Sequence, residues 1–199
     1  AAQWRGDPAS LRLVNLGINA VYRFTRDDGG YYLRLSHVTM RPLDEWRAAT
    51  DFLVHLAQQE VPVCRPVRSR GGQWIETMYH GGLEFWGTVV TEAPGELMHA
   101  NHTDLRVYEA WGQSLGLLHS AARDYWPDSA LPFKTIDGIW ANVTPTAHTV
   151  ADAEVRAAFD TISAWWADLP RRDFGLTHAD HRPGNLLWDG TTARIVDFD

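Results

Sequence analysis

The chain has 199 residues, 45% of them hydrophobic, with a net charge of −7 and a single cysteine. Those values describe a folded globular protein. They exclude a basic field for nucleic acid or an anionic membrane surface and an internal disulfide; no apolar run reaches the roughly 18 residues of a membrane span.

Taken in chain order, residues 12–16 and 21–25 read as strands around the turn Gly17-Ile18-Asn19-Ala20. Asp27-Asp28-Gly29-Gly30 is a hairpin signal leading into a strand over 31–36. Pro42 suits the start of a helix, and Trp46, Ala49, Leu53 and Leu56 form one helical stripe over 42–59. Gly71-Gly72 and Gly81-Gly82 bound two further strands, 73–79 and 83–91.

After Pro94-Gly95 the texture becomes helical. Leu105, Tyr108, Trp111, Leu115 and Leu118 predict a helix over 105–122. Val155, Phe159, Ile162 and Trp166 predict another over 151–167, with Thr149 as its cap. The stretch 124–150, rich in Pro, Asp and Thr, reads as an irregular connector with at most a short helix. Residues 186–188 and 194–196 form a short hairpin across Asp189-Gly190. A strand-rich half, 1–94, followed by a helical half, 95–199, predicts an α+β fold of two lobes around a cleft.

The chemistry concentrates in THADHRPGNLLWDGTTARIVDFD, residues 177–199. Asp180 follows His178 by two positions and precedes Asn185 by five; Asp197 lies twelve beyond Asn185. Singly, Asp180 and Asn185 are ordinary turn residues. Together with Asp197 they supply what phosphoryl transfer requires. A carboxylate and an amide oxygen hold Mg2+, which takes few protein ligands when phosphate oxygens complete its shell. A further carboxylate orients a hydroxyl and accepts its proton. His178 reads as a loop-shaping residue and His119 as a buried, satisfied histidine. His181 stands between loop packing and substrate contact, and Asp199 between a metal-side carboxylate and a chain end. Glu84, Glu92 and Asp189 read as solvated, and Trp46, Trp111 and Trp166 as core. A dinuclear metal hydrolase needs more histidines close upstream than His148 provides. No G-x-x-x-x-G-K-[ST] loop occurs.

The pattern His178-Ala179-Asp180-His181, Pro183-Gly184-Asn185 and Val196-Asp197-Phe198-Asp199 resembles the aminoglycoside phosphotransferase and choline kinase family, whose fold is protein-kinase-like. Upstream, the residues from Leu16 to Arg23 resemble its nucleotide loop, Tyr32-Leu33-Arg34-Leu35 its cation-bearing strand, and Val89-Val90-Thr91-Glu92-Ala93-Pro94-Gly95 its hinge; Leu115-Gly116-Leu117-Leu118-His119 fits its long helix. The family usually has Gly where Ala179 stands.

The resemblance implies Asp180 as catalytic base and Asn185 and Asp197 as Mg2+ ligands. It implies Arg34 as the phosphate-side cation, Gly17 and Asn19 in the nucleotide loop, and the backbone from Thr91 to Ala93 as the adenine contact. The expected activity is transfer of the γ-phosphoryl of ATP to a hydroxyl of a small molecule, in the cytoplasm. A nucleotide-binding module without turnover and a kinase acting on protein side chains are the competing readings. The family's helix carboxylate that pairs with the cation falls at Ala49, and Glu45 one turn earlier is the candidate substitute. Because the family builds its acceptor site from helices beyond the D-F-x turn, the resemblance implies a fragment with an incomplete helical lobe. Such a fragment is expected to bind ATP weakly, to transfer no phosphate and to self-associate.

Overall fold

Alternating side chains set the first layer of the fold. In the computed structural model, which describes residues 1–99, 104–127, 131–170 and 175–198, β1 (Arg12–Leu16), β2 (Ala20–Arg26), β3 (Gly29–His37), β4 (Ile75–His80) and β5 (Leu83–Thr91) form one antiparallel sheet. The strand order is β1-β2-β3-β5-β4. Along β3, Tyr31 and Leu33 are buried and pack with Trp4, Phe24 and Val89. The intervening Tyr32 and Arg34 belong to the opposite face, as the period of two requires. Gly29 and Gly30 are the first residues of β3, so Asp27-Asp28 alone makes the hairpin tip.

Helix α1 (Leu43–Gln58) follows Pro42 at its N-cap and buries Trp46, Ala48, Phe52, Leu53 and Leu56. Helix α2 (Leu105–Arg123) begins with the Asp104 carboxylate accepting from the Arg106 N–H. Its buried face differs from the predicted stripe: Val107, Ala110, Ser114, Leu118 and Ala121 are inside, while Leu105 is 78% exposed. Small side chains let α2 approach its neighbours, and proximity outweighs the larger apolar residues a stripe search selects. His119 accordingly lies on the exposed side, its Nε2 3.1 Å from Thr177 Oγ1; the expectation of a buried histidine is corrected.

The link between α1 and the end of α2 is specific. The Tyr125 hydroxyl donates to Asp51 Oδ2 at 2.6 Å, and His55 Nε2 donates to the Ala121 carbonyl at 2.9 Å. Burial and the bond to Asp51 push the Tyr125 phenol well above its usual pKa.

A second small sheet is built from β6 (Glu96–Leu97), β7 (Leu186–Trp188) and β8 (Ala193–Ile195), in that order. The predicted hairpin is present, and β6 is an addition too short to show periodicity. The β7–β8 turn is organised by Asp189, whose carboxylate accepts from the Thr191 and Thr192 N–H groups and from the Thr191 hydroxyl. Those bonds hold its carboxyl down to about 2. Ile195 N–H donates to the Pro62 carbonyl at 2.8 Å, fastening β8 to the segment after α1.

By contacts the chain divides into Ala1–Pro132 with Leu176–Asp199, and Phe133–Gly175. This partition differs from a lobe boundary at residue 94, which follows the change from strands to helices. The smaller unit corrects the expected connector. It holds a full helix, α3 (Ile136–Thr149), capped by the Thr135 hydroxyl at the Gly138 N–H. Pro145 lies inside α3 and removes one backbone bond without ending the helix. Helix α4 (Ala153–Asp168) is capped by Asp152 rather than Thr149, whose hydroxyl donates to the Thr146 carbonyl. Trp140 stacks on Phe159 and Trp166, so Trp166 is a half-buried partner within this unit. No helix among the described residues is long and apolar enough to cross a membrane.

Two connections in the larger unit are open to test. Gly95 has φ +112°, and an added Cβ would lie 2.6 Å from the Trp188 carbonyl carbon. Gly95→Ala is therefore expected to destabilise by about 2–4 kcal/mol, read as a lowered urea midpoint; an unchanged midpoint would contradict the close approach. Glu92, expected in solvent, instead accepts from Arg23 Nε at 2.7 Å and Nη2 at 2.8 Å, and from the Tyr32 hydroxyl at 3.3 Å. The Arg23 hydrogen bonds hold its carboxyl below the usual range. This pairing stabilises the fold above about pH 4.3, the ordinary carboxylate value, and is lost as pH falls through the depressed one. Solvent screening keeps the effect small. Glu92→Gln should flatten the decline of melting temperature below about pH 4.3; an unaltered acid limb would assign that decline to other carboxylates.

Candidate active site

The arrangement starts from one cation. Arg34, on the face of β3 shared with Tyr32, is only 17% exposed in its side chain and sits 3.1 Å from Asp197 Oδ1 through Nη2. Its Nη1 donates to the Phe198 carbonyl at 3.0 Å. The Asn19 amide, oriented from its neighbours with oxygen toward Arg34, accepts from Nη2 at 2.7 Å and Nε at 3.0 Å. Its nitrogen then donates to Ser36 Oγ at 3.0 Å. Three parts of the expected site, Asn19, Arg34 and Asp197, thus converge on one guanidinium. One carboxylate against Arg34 is that of Asp197, and the Glu45 carboxylate accepts from Arg41 Nε at 3.3 Å.

The loop 177–185 is built by reciprocal bonds. His178 is buried, and its Nε2 donates to the Val196 carbonyl at 2.9 Å, the loop-shaping role expected. Ala179 has φ +64°, a left-handed conformation that a Cβ disfavours and glycine accepts freely. Asp180 is mostly exposed and accepts from Arg182 Nε at 3.0 and 3.1 Å and from Asn185 Nδ2 at 2.8 Å. The Arg182 hydrogen bonds, more than any other cause, hold the Asp180 carboxyl below its usual range, so it is ionised at neutral pH. Asn185 is buried and also donates through Nδ2 to the Asp180 carbonyl at 2.9 Å, while its own carbonyl accepts from the Val196 N–H at 3.0 Å. Asp197 follows with φ +66°. Phe198 packs edge-on to His178 at 4.5 Å and to Phe52 of α1 at 6.5 Å. His181 is half-buried beside Trp111 at 5.9 Å. Burial pushes its imidazole below the usual value, toward the neutral form. Asp199 lies outside the described residues.

A cleft of about 370 Å³ has Arg34, Asp197, Cys64, Pro66 and Ala93 among its lining residues. That volume and the apolar walls suit a small-molecule site. The hinge is used unevenly. The Thr91 N–H donates to the Arg65 carbonyl and the Glu92 N–H to the Gly30 carbonyl. Ala93 lines the cleft, and Thr91 does not. From β1 and β2 the cleft walls include Val14, Asn15 and Val21, whereas the Gly17 N–H turns to the Asn19 carbonyl. Sequence reasoning missed Tyr32, Trp46, Cys64 and Leu187 as cleft residues. Tyr32 was accessible from strand alternation with Arg34. Burial pushes the Cys64 thiol up to about 11, which makes it a packing group rather than a nucleophile at neutral pH.

The donor set fits a hard divalent cation. Both Asn185 Nδ2 bonds go to Asp180, which leaves the amide oxygen to serve as ligand, and Asp197 supplies a half-exposed carboxylate. The Asn185–Val196 backbone bond ties the two stretches together. Among the described residues no three His, Cys, Asp or Glu side chains gather. A metal held by Asn185 and Asp197 therefore needs further oxygens from its ligand, as Mg2+ with phosphates has.

The chain is 25% identical to the amicoumacin kinase of Bacillus subtilis (strain 168) over 204 residues, covering 100% of this chain and 60% of that protein. It is 28% identical to a homoserine kinase of Rhodospirillum rubrum over 189 residues, covering 90% of this chain and 55% of that one. The chain thus spans little more than half the length of these curated relatives. Among solved structures, an amicoumacin kinase in complex with AMP-PNP, Ca2+ and Ami superposes with a TM-score of 0.85 at 21% identity, over 99% of this chain and 60% of that one. An aminopropanol kinase superposes at 0.76 and 21% identity, over 100% and 66%. These likenesses show the kinase-like α+β fold. The sequence model of the phosphotransferase enzyme family (APH) matches residues 10–199, and the chain belongs to that family.

Proposed function

We propose that this chain carries the nucleotide site and catalytic loop of an ATP-dependent phosphotransferase acting on a hydroxyl of a small molecule. The observation that carries the reading is the convergence of Asn19 and Asp197 on Arg34, which lines the same cleft as Ala93. Relatives named for amicoumacin, homoserine and aminopropanol support a small-molecule acceptor. The ATP requirement and the lone buried thiol suit the cytoplasm.

In this reading the base occupies the apolar end beside Ala93, and the phosphates lie toward Arg34. The guanidinium, held on three sides, meets them without reorganising, and that preorganisation is the main source of electrostatic catalysis. Asn185 and Asp197 would hold Mg2+, which when bound neutralises the charge on the phosphates. Asp180 receives the acceptor hydroxyl. Its low pKa makes it a weak base and a good orienting acceptor, which suits a loose transition state in which proton transfer is late. Arg182 and Asn185 fix the direction in which the carboxylate points.

ATP is expected to bind, and to bind more tightly with Mg2+, by calorimetry. Equal affinity with and without the metal would sink the metal assignment. In a form that turns over, Asp180→Asn should cost about 10²–10⁴ in kcat with nucleotide affinity kept, whereas Asp197→Asn should remove the Mg2+ dependence. Identical effects of the two changes would refute the division of roles. Ala179→Gly relieves a left-handed alanine and should raise stability by about 1 kcal/mol without altering ATP affinity; a lower melting temperature would contradict that strain.

A further inference from the structure

Among the partners of Arg34 are Asn19, Asp197 and Phe198, which belong to irregular backbone: the turn between β1 and β2 and the stretch after β8. Precision at a site comes from side chains whose own rotamers are locked on regular elements. Such a residue is present beneath the guanidinium. Trp46, in α1, is 4% exposed and lines the same cleft. Arg34 Cζ lies over its ring, 5.5 Å from the centroid, and Arg41 Cζ lies over it at 5.9 Å. Arg41 is itself held by Glu45, one turn along.

An indole face attracts a cation electrostatically within about 6 Å, more strongly than a phenyl ring does and more strongly still when water is kept away. Side-chain exposures of 17% for Arg34 and 13% for Arg41 place both guanidiniums in that regime. The ring also presents a flat surface parallel to which a planar guanidinium can rest, a match that lysine lacks. Ala49, one helical turn beyond Trp46, lines the cleft as well and leaves room beside the ring.

We propose that Trp46 is a positioning residue for the phosphate-side cation: its ring face holds Arg34 toward the phosphate end of the cleft. The proposal rests on the reading of Arg34 as a phosphate ligand, and its test separates the two. Side-chain NMR of the whole chain reads the contact without any nucleotide. The Arg34 Nε–H signal, assigned by its loss in Arg34→Gln, should lie upfield because of the indole ring current. It should return downfield in Trp46→Leu and lie between in Trp46→Phe, which keeps a smaller ring and guards against loss of folding. Calorimetry with ATP and Mg2+ reads the consequence. Trp46→Leu should raise Kd about 3- to 30-fold, and Trp46→Phe should raise it less. An Arg34 signal indifferent to Trp46→Phe and Trp46→Leu overturns the contact. Equal losses of affinity in the two variants overturn the electrostatic role and leave packing, and unchanged affinity overturns positioning altogether. Absence of ATP binding by the unsubstituted chain overturns the nucleotide reading, and with it the positioning toward phosphate.

Discussion

A charged group that is mostly buried must be paired, and in this protein that constraint falls on Arg34. Its guanidinium is satisfied by residues near position 19 and near position 197, parts of the sequence that share no local structure. Leaving any one of these partners out would strand a desolvated charge or a lone carbonyl, at a cost well above that of a surface ion pair. The turn between β1 and β2, the central strand and the stretch after β8 are therefore not three independent features. They are brought to one point by a single electrostatic requirement, at a guanidinium that lines the cleft.

The rest of the larger unit serves to hold this convergence steady. Strand β8 is hydrogen-bonded to Pro62 on one side and paired with β7 on the other, so Val196 leaves it at a defined height. From there His178 and Asn185 each take one backbone group of Val196, which couples the 177–185 loop to the residue before Asp197. Phe198 then fills the gap between His178 and Phe52, and α1 is kept from swinging by Tyr125 on Asp51 and His55 on Ala121. Each contact is ordinary in strength. Their closure into a circuit through α1, α2 and the 177–185 loop is what makes the geometry reproducible.

Where reading the sequence failed, the competing physics is identifiable. Pro, Asp and Thr are turn formers and predict a connector over 124–150, yet Thr135 caps α3 and Pro145 is tolerated where Trp140 stacks on Phe159 and Trp166. The buried face of α2 was misplaced because Ala110, Ser114 and Ala121 carry little hydrophobic weight and are selected for closeness. Glu92 passed for a solvated hinge residue because its partner, Arg23, lies 69 positions away. The Thr91 N–H is paired with the Arg65 carbonyl, a bond made by a loop that no periodicity announces.

What the sequence by itself determined was the set of strands that alternate, the helices that carry caps and stripes, and the spacing of Asp180, Asn185 and Asp197, because intervals within one short stretch of chain are a local property. It also supplied Arg34, by its place on a strand. The tertiary structure alone decided that Asp197 faces that arginine, that Ala93 reaches the cleft, and that Arg182 pairs with the exposed Asp180 carboxylate. It alone set Trp46 beneath two guanidiniums. These are matters of which side chains meet across a fold, and the energy of such a meeting depends on distance and desolvation, quantities that exist only once the chain has closed on itself.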